Sequence, residues 1–419
     1  MLKLILDILS VPAILVGLIA LIGLILQKKS ASDTLKGTIK TVLGFLVLSG
    51  GAGIAEKSLG YFGTIFQEAF NVQGVVPHNE AVVALALETY GTSTALIMAF
   101  GMLANILIAR YTKLKYIFLT GHHTLYMAAM ISVILVVGGL EGVTLIIVGS
   151  IILGFVMAFF PAIAQPTMRK ITGTDDVAFG HFGTVGYVLS AWVGKVLGKN
   201  SKSTEEMEFS QKLGFMRDSS VAISLVMGVL YIIVAIASGH KFINTLSGGQ
   251  NYILFAVLQA ITFAGGVYII LQGVRLILAE IVPAFRGISE KLVPDAKPAL
   301  DCPVVFPYAS NAVLIGFLSS FLGGIVGMLI LIGLKTTIIL PGVVPHFFCG
   351  ATAGVFGNAT GGKRGAFWGS FAHGLLITFL PVLLMPVLGN LGFANTTFSD
   401  ADFGVVGIIL GNIVKLFIK

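Results

Sequence analysis

The chain has 419 residues, of which 56% are hydrophobic and 11% charged, with a formal net charge of +7. Soluble proteins carry about 25% charged residues, so this composition excludes an ordinary soluble enzyme and predicts a polytopic membrane protein. The positive balance is no nucleic-acid footprint, because the lysines and arginines sit between apolar runs, where they set orientation in the membrane lipid.

The first apolar run, Ile14–Leu26, is followed by Gln27-Lys28-Lys29 rather than a small-residue cleavage site, and reads as a span. Runs long enough to span, or nearly so, follow at about 41–55, 93–109, 117–137, 143–163, 220–238, 252–274, 312–334, 336–357, 366–387 and 404–418. A span needs about 20 residues, so the second and last are short. With the first, at 11–27, they predict about eleven transmembrane helices in an all-α protein. Two polar–apolar hairpins fall near 74–92 and 298–311.

With the N-terminus outside, 22 of the 26 lysines and arginines fall on inside loops, leaving Lys3, Lys57, Lys241 and Lys335 outside. That asymmetry predicts a cytoplasmic C-terminus. The longest non-spanning stretch is 164–219. Within it Val185, Val188, Leu189, Trp192, Val193 and Val196 recur at helical spacing, with Ser190, Lys195 and Lys199 turned away. The pattern predicts an amphipathic helix in the interface, followed from Asn200 by a solvated linker. Leu119-Thr-Gly121 and Leu340-Pro-Gly342 lie 221 residues apart, and the same offset places Glu80 over Asp301. An odd number of spans per unit would make such copies inverted, with substrate at their interface.

The second hairpin is broken by Pro298, Pro303 and Pro307 and carries one acid, Asp301. Irregular backbone survives in lipid only where protein or a water-filled cavity satisfies it. A carboxylate at a bilayer centre costs about 2.5–3.5 kcal/mol, which favours a functional acid, the alternative being an ordinary solvated Asp in a cytoplasmic loop. Polar residues also cluster at Pro77-His78-Asn79-Glu80, at Thr120-Gly-His122-His123-Thr124-Leu125-Tyr126, and at Phe179-Gly180-His181-Phe182. A polyhydroxylated ligand needs such a set, with donors, acceptors, a carboxylate for hydroxyl groups and an aromatic ring to stack on. No zinc-protease, phosphate-loop or serine-elbow motif occurs. Cys302 and Cys349 are the two cysteines, too few for a disulfide framework and without metal-ligand spacing. Adjacent His122 and His123 should project about 100° apart, too divergent to share a metal. His346 and His373, on neighbouring spans, leave a haem protein as a minor alternative. A proton-coupled carrier using Glu80 or Asp301 is another.

At these clusters the chain resembles a known family. Lys36-Gly-Thr-Ile-Lys40-Thr-Val-Leu-Gly-Phe45, Leu119-Thr-Gly-His122, Gly180-His181, Ala299-Leu-Asp301-Cys302, Ser310-Asn-Ala-Val-Leu-Ile-Gly-Phe317, Leu340-Pro-Gly-Val-Val-Pro-His346 and Gly354-Val-Phe-Gly-Asn358 resemble the ascorbate-type IIC permeases of the bacterial phosphotransferase system. The resemblance implies a single membrane domain over 1–419 and a homodimer in the bacterial cell membrane. It has two inverted five-span repeats, about 1–165 and 220–387, a connector at about 166–219 and a final span at about 404–419, with two re-entrant hairpins. It implies transport of L-ascorbate, or another sugar acid or polyol, to a separate IIB protein, itself served by a IIA protein, with no cofactor and no metal. The implied substrate contacts are Asn79, Glu80, His122, His123, Thr124, Leu125, Tyr126, His181, Phe182 and Asp301, with Tyr126 or Phe182 stacked on the ring. Ascorbate members carry glutamine where this chain has Tyr126 and Phe182, and no acid at Glu80. Those departures make a neutral pentitol or sugar the alternative ligand.

Overall fold

The computed structural model describes residues 11–71, 74–207, 219–393 and 396–417. Lys3, Lys212, Arg217 and Lys419 of the charge-based orientation, and residues 208–218 of the expected linker, lie outside the described residues.

Helix α1 (Pro12–Leu26) opens on a proline, whose missing amide costs nothing at a helix start. Helix α2 (Ala31–Phe70) is capped by Ser30, which accepts the Asp33 amide at 3.1 Å, and ends at Asn71 in the left-handed conformation. Strand β1 (Val76–Pro77) leads into α3 (Asn79–Tyr111), bent at Tyr90. Strand β2 (Tyr116–Phe118), α4 (Gly121–Val137), α5 (Gly142–Thr172), β3 (Ala178–Phe179) and α6 (Thr184–Leu197) complete the first half. The second half holds α7 (Ser219–Ser238), α8 (His240–Leu246), α9 (Tyr252–Lys291), β4 (Lys297–Leu300) and a 3-10 turn, Cys302–Tyr308. Then come α10 (Ser310–Gly333), α11 (Val343–Leu384), β5 (Thr396–Thr397) and α12 (Ala401–Phe417).

Among the described residues six helices, α2, α3, α5, α9, α10 and α11, are long and apolar enough to cross a membrane. The count is seven if α7 and α8, which meet at 110°, form one bent span. Four further helices, α1, α4, α6 and α12, have 14 to 17 residues. The expected spans 336–357 and 366–387 are one helix, α11, interrupted at Gly361 and Gly362. Gly362 takes φ +53°, and a side chain on Gly361 would strike the Gly194 carbonyl of α6. The break is therefore where α6 docks.

That docking uses the small and polar face of the expected amphipathic helix and leaves its apolar face outward. Its small and polar face, Ser190, Ala191 and Gly194, is buried against α11, with Ser190 Oγ donating to the Ala353 carbonyl at 2.6 Å. Its apolar residues Trp192, Val196 and Leu197 are exposed. Small residues let helices approach closely where apolar side chains gain nothing by leaving lipid.

Among the described residues the fold is mostly helical, as expected of an all-α membrane protein, with five short strands at breaks between helices. Strands β2, β4 and β3 form a parallel sheet in that order, with Phe118 and Ala178 both paired to Ala299. β1 pairs in parallel with β5, and Val75 bridges Ile339 on its other side. Each strand is a place where the helix cannot continue, and pairing satisfies amides that lipid would leave bare. The two sheets are counterparts, because β1 with Ile339 and β5 follow the pattern of β4 with β2 and β3 near the 221-residue offset. One core packs chiefly α1, α2, α7 and α9 with the 3-10 turn, α10 and the start of α11. A second packs α3, α4, α5 and α12.

Candidate functional site

The three-stranded sheet gathers the polar clusters. β4 is its centre: the Leu119 amide donates to the Ala299 carbonyl at 3.0 Å, and the Gly180 amide to the Leu300 carbonyl at 2.7 Å. Thr120 Oγ1 donates to the Gly180 carbonyl. A side chain at residue 180 would strike the Ala299 carbonyl, so glycine is what lets β3 close on β4. The strands end together, delivering His122 on the first turn of α4, His181 after β3, and Asp301 after β4.

Asp301 caps the 3-10 turn by accepting the Cys302 amide at 2.6 Å. Its carboxylate stands 3.4 Å from His122 Nε2 and 3.8 Å from His181 Nε2. His181 is held from behind: its Nδ1 accepts the Gly183 amide at 3.1 Å and lies 2.9 Å from the Tyr187 hydroxyl. A ring nitrogen that accepts an amide hydrogen carries no proton, so the proton of the neutral ring is on Nε2. Nε2–H points between two carboxylates, Asp301 and Asp400, at 3.8 Å from each.

Asp400 was not expected. It follows β5, is 5% exposed, accepts from Ser399 Oγ at 2.6 Å and from Asn79 Nδ2 at 3.2 Å, and lies 3.8 Å from His123 Nε2. Asn79 also accepts the Ser399 amide at 2.9 Å, so it clamps the β5 arm to the start of α3. A signal was present in Ser399-Asp400-Ala-Asp402, an acid pair just ahead of the last apolar run. Asp402 caps α6, accepting the amides of Thr184 at 2.9 Å and Val185 at 2.7 Å.

These groups line a cavity of about 450 Å³ that faces Phe45, Ser49 and Glu56 of α2. Asn79, Glu80, His122, His123, Tyr126, His181 and Asp301 all reach it, and so do Glu56, His78, Cys302, Cys349 and Asp400, which were not among the expected contacts. At its rim Glu80 stands 3.1 Å from His78 Nδ1 and accepts the Tyr126 hydroxyl at 3.0 Å. Three expected contacts are not in its lining. Thr124 bonds the Thr120 carbonyl at 3.0 Å, and Leu125 packs against the second core. Phe182 is fully buried and stacked on Phe118 at 4.7 Å, because a benzyl ring gains more from that aromatic core than from a polar cavity. It is not available to cover a ligand ring.

His122 and His123 are less divergent than a helical wheel suggests. Their rings are 4.8 Å apart, and with Asp301 they offer three ligand atoms within 4.8 Å of one another, because both side chains swing toward the hairpin. His123–His181–Asp400 and His181–Asp301–Cys302 are similarly close, though a proton on His181 Nε2 opposes a metal at that atom. His346 and His373 direct their Nδ1 atoms at one hydroxyl, Ser320 Oγ, at 2.8 and 3.0 Å. Both rings are buried around that serine, an arrangement with no slot for a macrocycle between them.

Long apolar helices enclosing a polar cavity define a multi-pass membrane protein of the permease class. The chain belongs to the PTS system sugar-specific permease component family, EIIC-GAT, which it matches over residues 7–402. The resemblance read from its motifs therefore holds. It is similar to the ascorbate-specific PTS system EIIC component of Mycoplasma pneumoniae (strain ATCC 29342 / M129 / Subtype 1), with 27% identity over 412 residues. The match covers 85% of this chain and 62% of that protein, so the chain spans less than two thirds of its relative's length.

Proposed function

We propose that this IIC permease component imports L-ascorbate or a related sugar acid and presents it to a separate IIB subunit for phosphorylation, with a IIA subunit upstream. The observation that carries the reading is the convergence of His122, His181 and Asp301 on one cavity, together with family membership. In this reading Asp301 accepts substrate hydroxyls, His122 and His181 donate, and Tyr126 covers the ring. The chain works as a homodimer of single-domain protomers in the bacterial cell membrane. Each protomer has eleven spans in two inverted repeats, with re-entrant hairpins around Glu80 and Asp301, the N-terminus outside and the C-terminus cytoplasmic.

A second reading, a neutral pentitol or sugar in the same site, is favoured by the charge of the cavity. Glu56, Glu80, Asp301 and Asp400 line it, and among the described residues that line it there is no lysine or arginine. An anion entering there meets carboxylates whose basic neighbours are imidazoles. Tyr126 and Glu80, two departures from the ascorbate pattern, also bond each other, so they form one altered feature rather than two.

The test is binding of labelled L-ascorbate to the purified protein, beside Asp301→Asn, with unlabelled xylitol as competitor. Saturable ascorbate binding that the variant loses supports the first reading. Xylitol binding without ascorbate binding transfers it to the second. No binding of either removes both.

A further inference from the structure

We infer that Asp400, with His123 and His181, forms a second hydroxyl-binding subsite of the cavity, so that a ligand is held across His181 by two hydroxyls, one on Asp301 and one on Asp400. The inference rests on the permease reading and deepens it.

The two halves of the chain approach the site by matching arms. In the first, β3 pairs with β4, and the chain turns at His181 into α6. In the second, β5 pairs with β1, and the chain turns at Asp400 into α12. Each arm thus supplies one polar side chain to the same point, a basic one from one half and an acidic one from the other. The arms are also tied together, because Asp402 of the second caps the helix that follows His181, and the Asp402 amide donates to the Phe182 carbonyl at 2.9 Å.

The spacing at that point is unfinished. Asp400 to His181, Asp400 to His123 and Asp301 to His181 are each 3.8 Å, beyond hydrogen-bond range. One carboxylate oxygen of Asp400 takes Ser399 Oγ and the other takes Asn79 Nδ2. An ionised carboxylate accepts about four hydrogens, so capacity remains on the oxygen that faces the imidazoles. His181 has a single N–H for two carboxylates. The missing element on both sides is an O–H group, which accepts from an imidazole N–H and donates to a carboxylate. Two such groups on neighbouring carbons satisfy Asp301 and Asp400 together, and neither needs a charge on the ligand. Asp400 is rigidly held by Asn79 and Ser399, so its oxygen is placed before the ligand arrives.

The experiment measures equilibrium binding to the purified full chain of whichever probe, L-ascorbate or xylitol, the wild type holds, and of each monodeoxy analogue of that probe. Asp400→Asn is expected to weaken the parent about tenfold, the scale of one hydrogen bond to a charged group. One analogue should bind the wild type about tenfold more weakly than the parent, yet bind Asp400→Asn as well as the parent does. A different analogue should behave so with Asp301→Asn. Melting temperature and size-exclusion profile check the fold. If Asp400→Asn does not fold, His123→Asn reads the same subsite and should single out the same analogue. A variant that weakens the parent and every analogue by one common factor makes Asp400 structural and overturns the inference, as does unchanged affinity. Absence of any probe binding to wild type removes both substrate readings and this inference with them.

Discussion

The cavity has two acidic regions that look alike in composition and differ in every physical respect. At the rim, Glu80 has both carboxylate oxygens engaged, by His78 and by the Tyr126 hydroxyl, and its side chain is 60% exposed. In the interior, Asp301 and Asp400 are 17% and 4% exposed at the side chain, and both stand 3.8 Å from His181 Nε2, beyond bonding distance, while His122 Nε2 lies 3.4 Å from Asp301. A self-satisfied, hydrated pair contributes little and needs nothing further. A buried carboxylate bonded on part of its oxygens, with a further imidazole just beyond bonding distance, keeps accepting capacity for another donor. The rim is thus built to be stable alone, and the interior is built to be finished by a ligand.

Breaking the interior should produce the largest effects. Asp301→Asn or His181→Asn is expected to weaken ligand binding by about ten- to a hundredfold, the loss of one or two charge-assisted hydrogen bonds. Equilibrium binding to the purified protein measures it, and a change under threefold in both would mean that the interior is no ligand site. Gly180→Ala comes next. The added methyl meets the Ala299 carbonyl, so β3 must move away from β4 and take His181 with it. Overpacking of this kind costs about 1–3 kcal/mol, which a lowered melting temperature in detergent would register along with weaker binding. Normal melting and normal binding would show that the sheet does not position His181.

Particular residues show what the sequence made legible. Asp301, His122 and His181 stood out because charge and imidazole in an apolar chain are expensive, and prolines and glycines around them marked broken helix. Family membership was readable from motifs at the same places. The strands were not, since two to four residues carry no period and Pro298 argues against a strand. Their pairing partners lie far apart in the chain, Phe118 with Ala299 and Thr396 with Val76, so no local signal names them. Asp400 was missed for that reason: only β5 against β1 brings it to His181. Phe182, expected at the ligand from the family resemblance, instead stacks on Phe118 in the aromatic core while His181 faces the cavity.

At the rim the expected effect is smaller. Glu80→Gln and Tyr126→Phe each remove a contact of an exposed carboxylate, worth about 0–1 kcal/mol, so binding should change less than about fivefold. Because the two side chains bond each other, the double variant should cost less than the sum of the singles. Additive losses above tenfold would make the Glu80 carboxylate and the Tyr126 hydroxyl direct ligand contacts and erase the contrast with the interior.

The smallest effect is predicted where charge serves only the frame. Asp175, in the loop between α5 and β3, accepts from Arg169 Nε at 2.8 Å, Lys297 Nζ at 2.7 Å and Gln165 Nε2 at 2.7 Å. Lys297 begins β4, so the acid ties the end of α5 to the sheet that carries Asp301. Burial alone would raise its carboxyl, but the bonds from Arg169, Lys297 and Gln165 outweigh it and hold the group well below the usual carboxylate range. A carboxylate with a depressed folded value binds its proton more weakly in the native state than in the unfolded one. Its stabilisation is therefore complete above the unfolded value, near pH 4, and is lost as pH falls through the lower folded value. Asp175→Asn should lower the melting temperature at pH 7 by the small amount that an exposed ionic network contributes, about 1 kcal/mol or less. The gap between variant and wild type should hold at pH 5 and narrow below pH 4, with ligand affinity at pH 7 unchanged within about twofold. A gap that persists unchanged at pH 2.5 would assign the effect to packing of the side chain instead of its charge. A large loss of ligand affinity at pH 7 would mean that the frame and the interior are one electrostatic unit, and the division between them would fall.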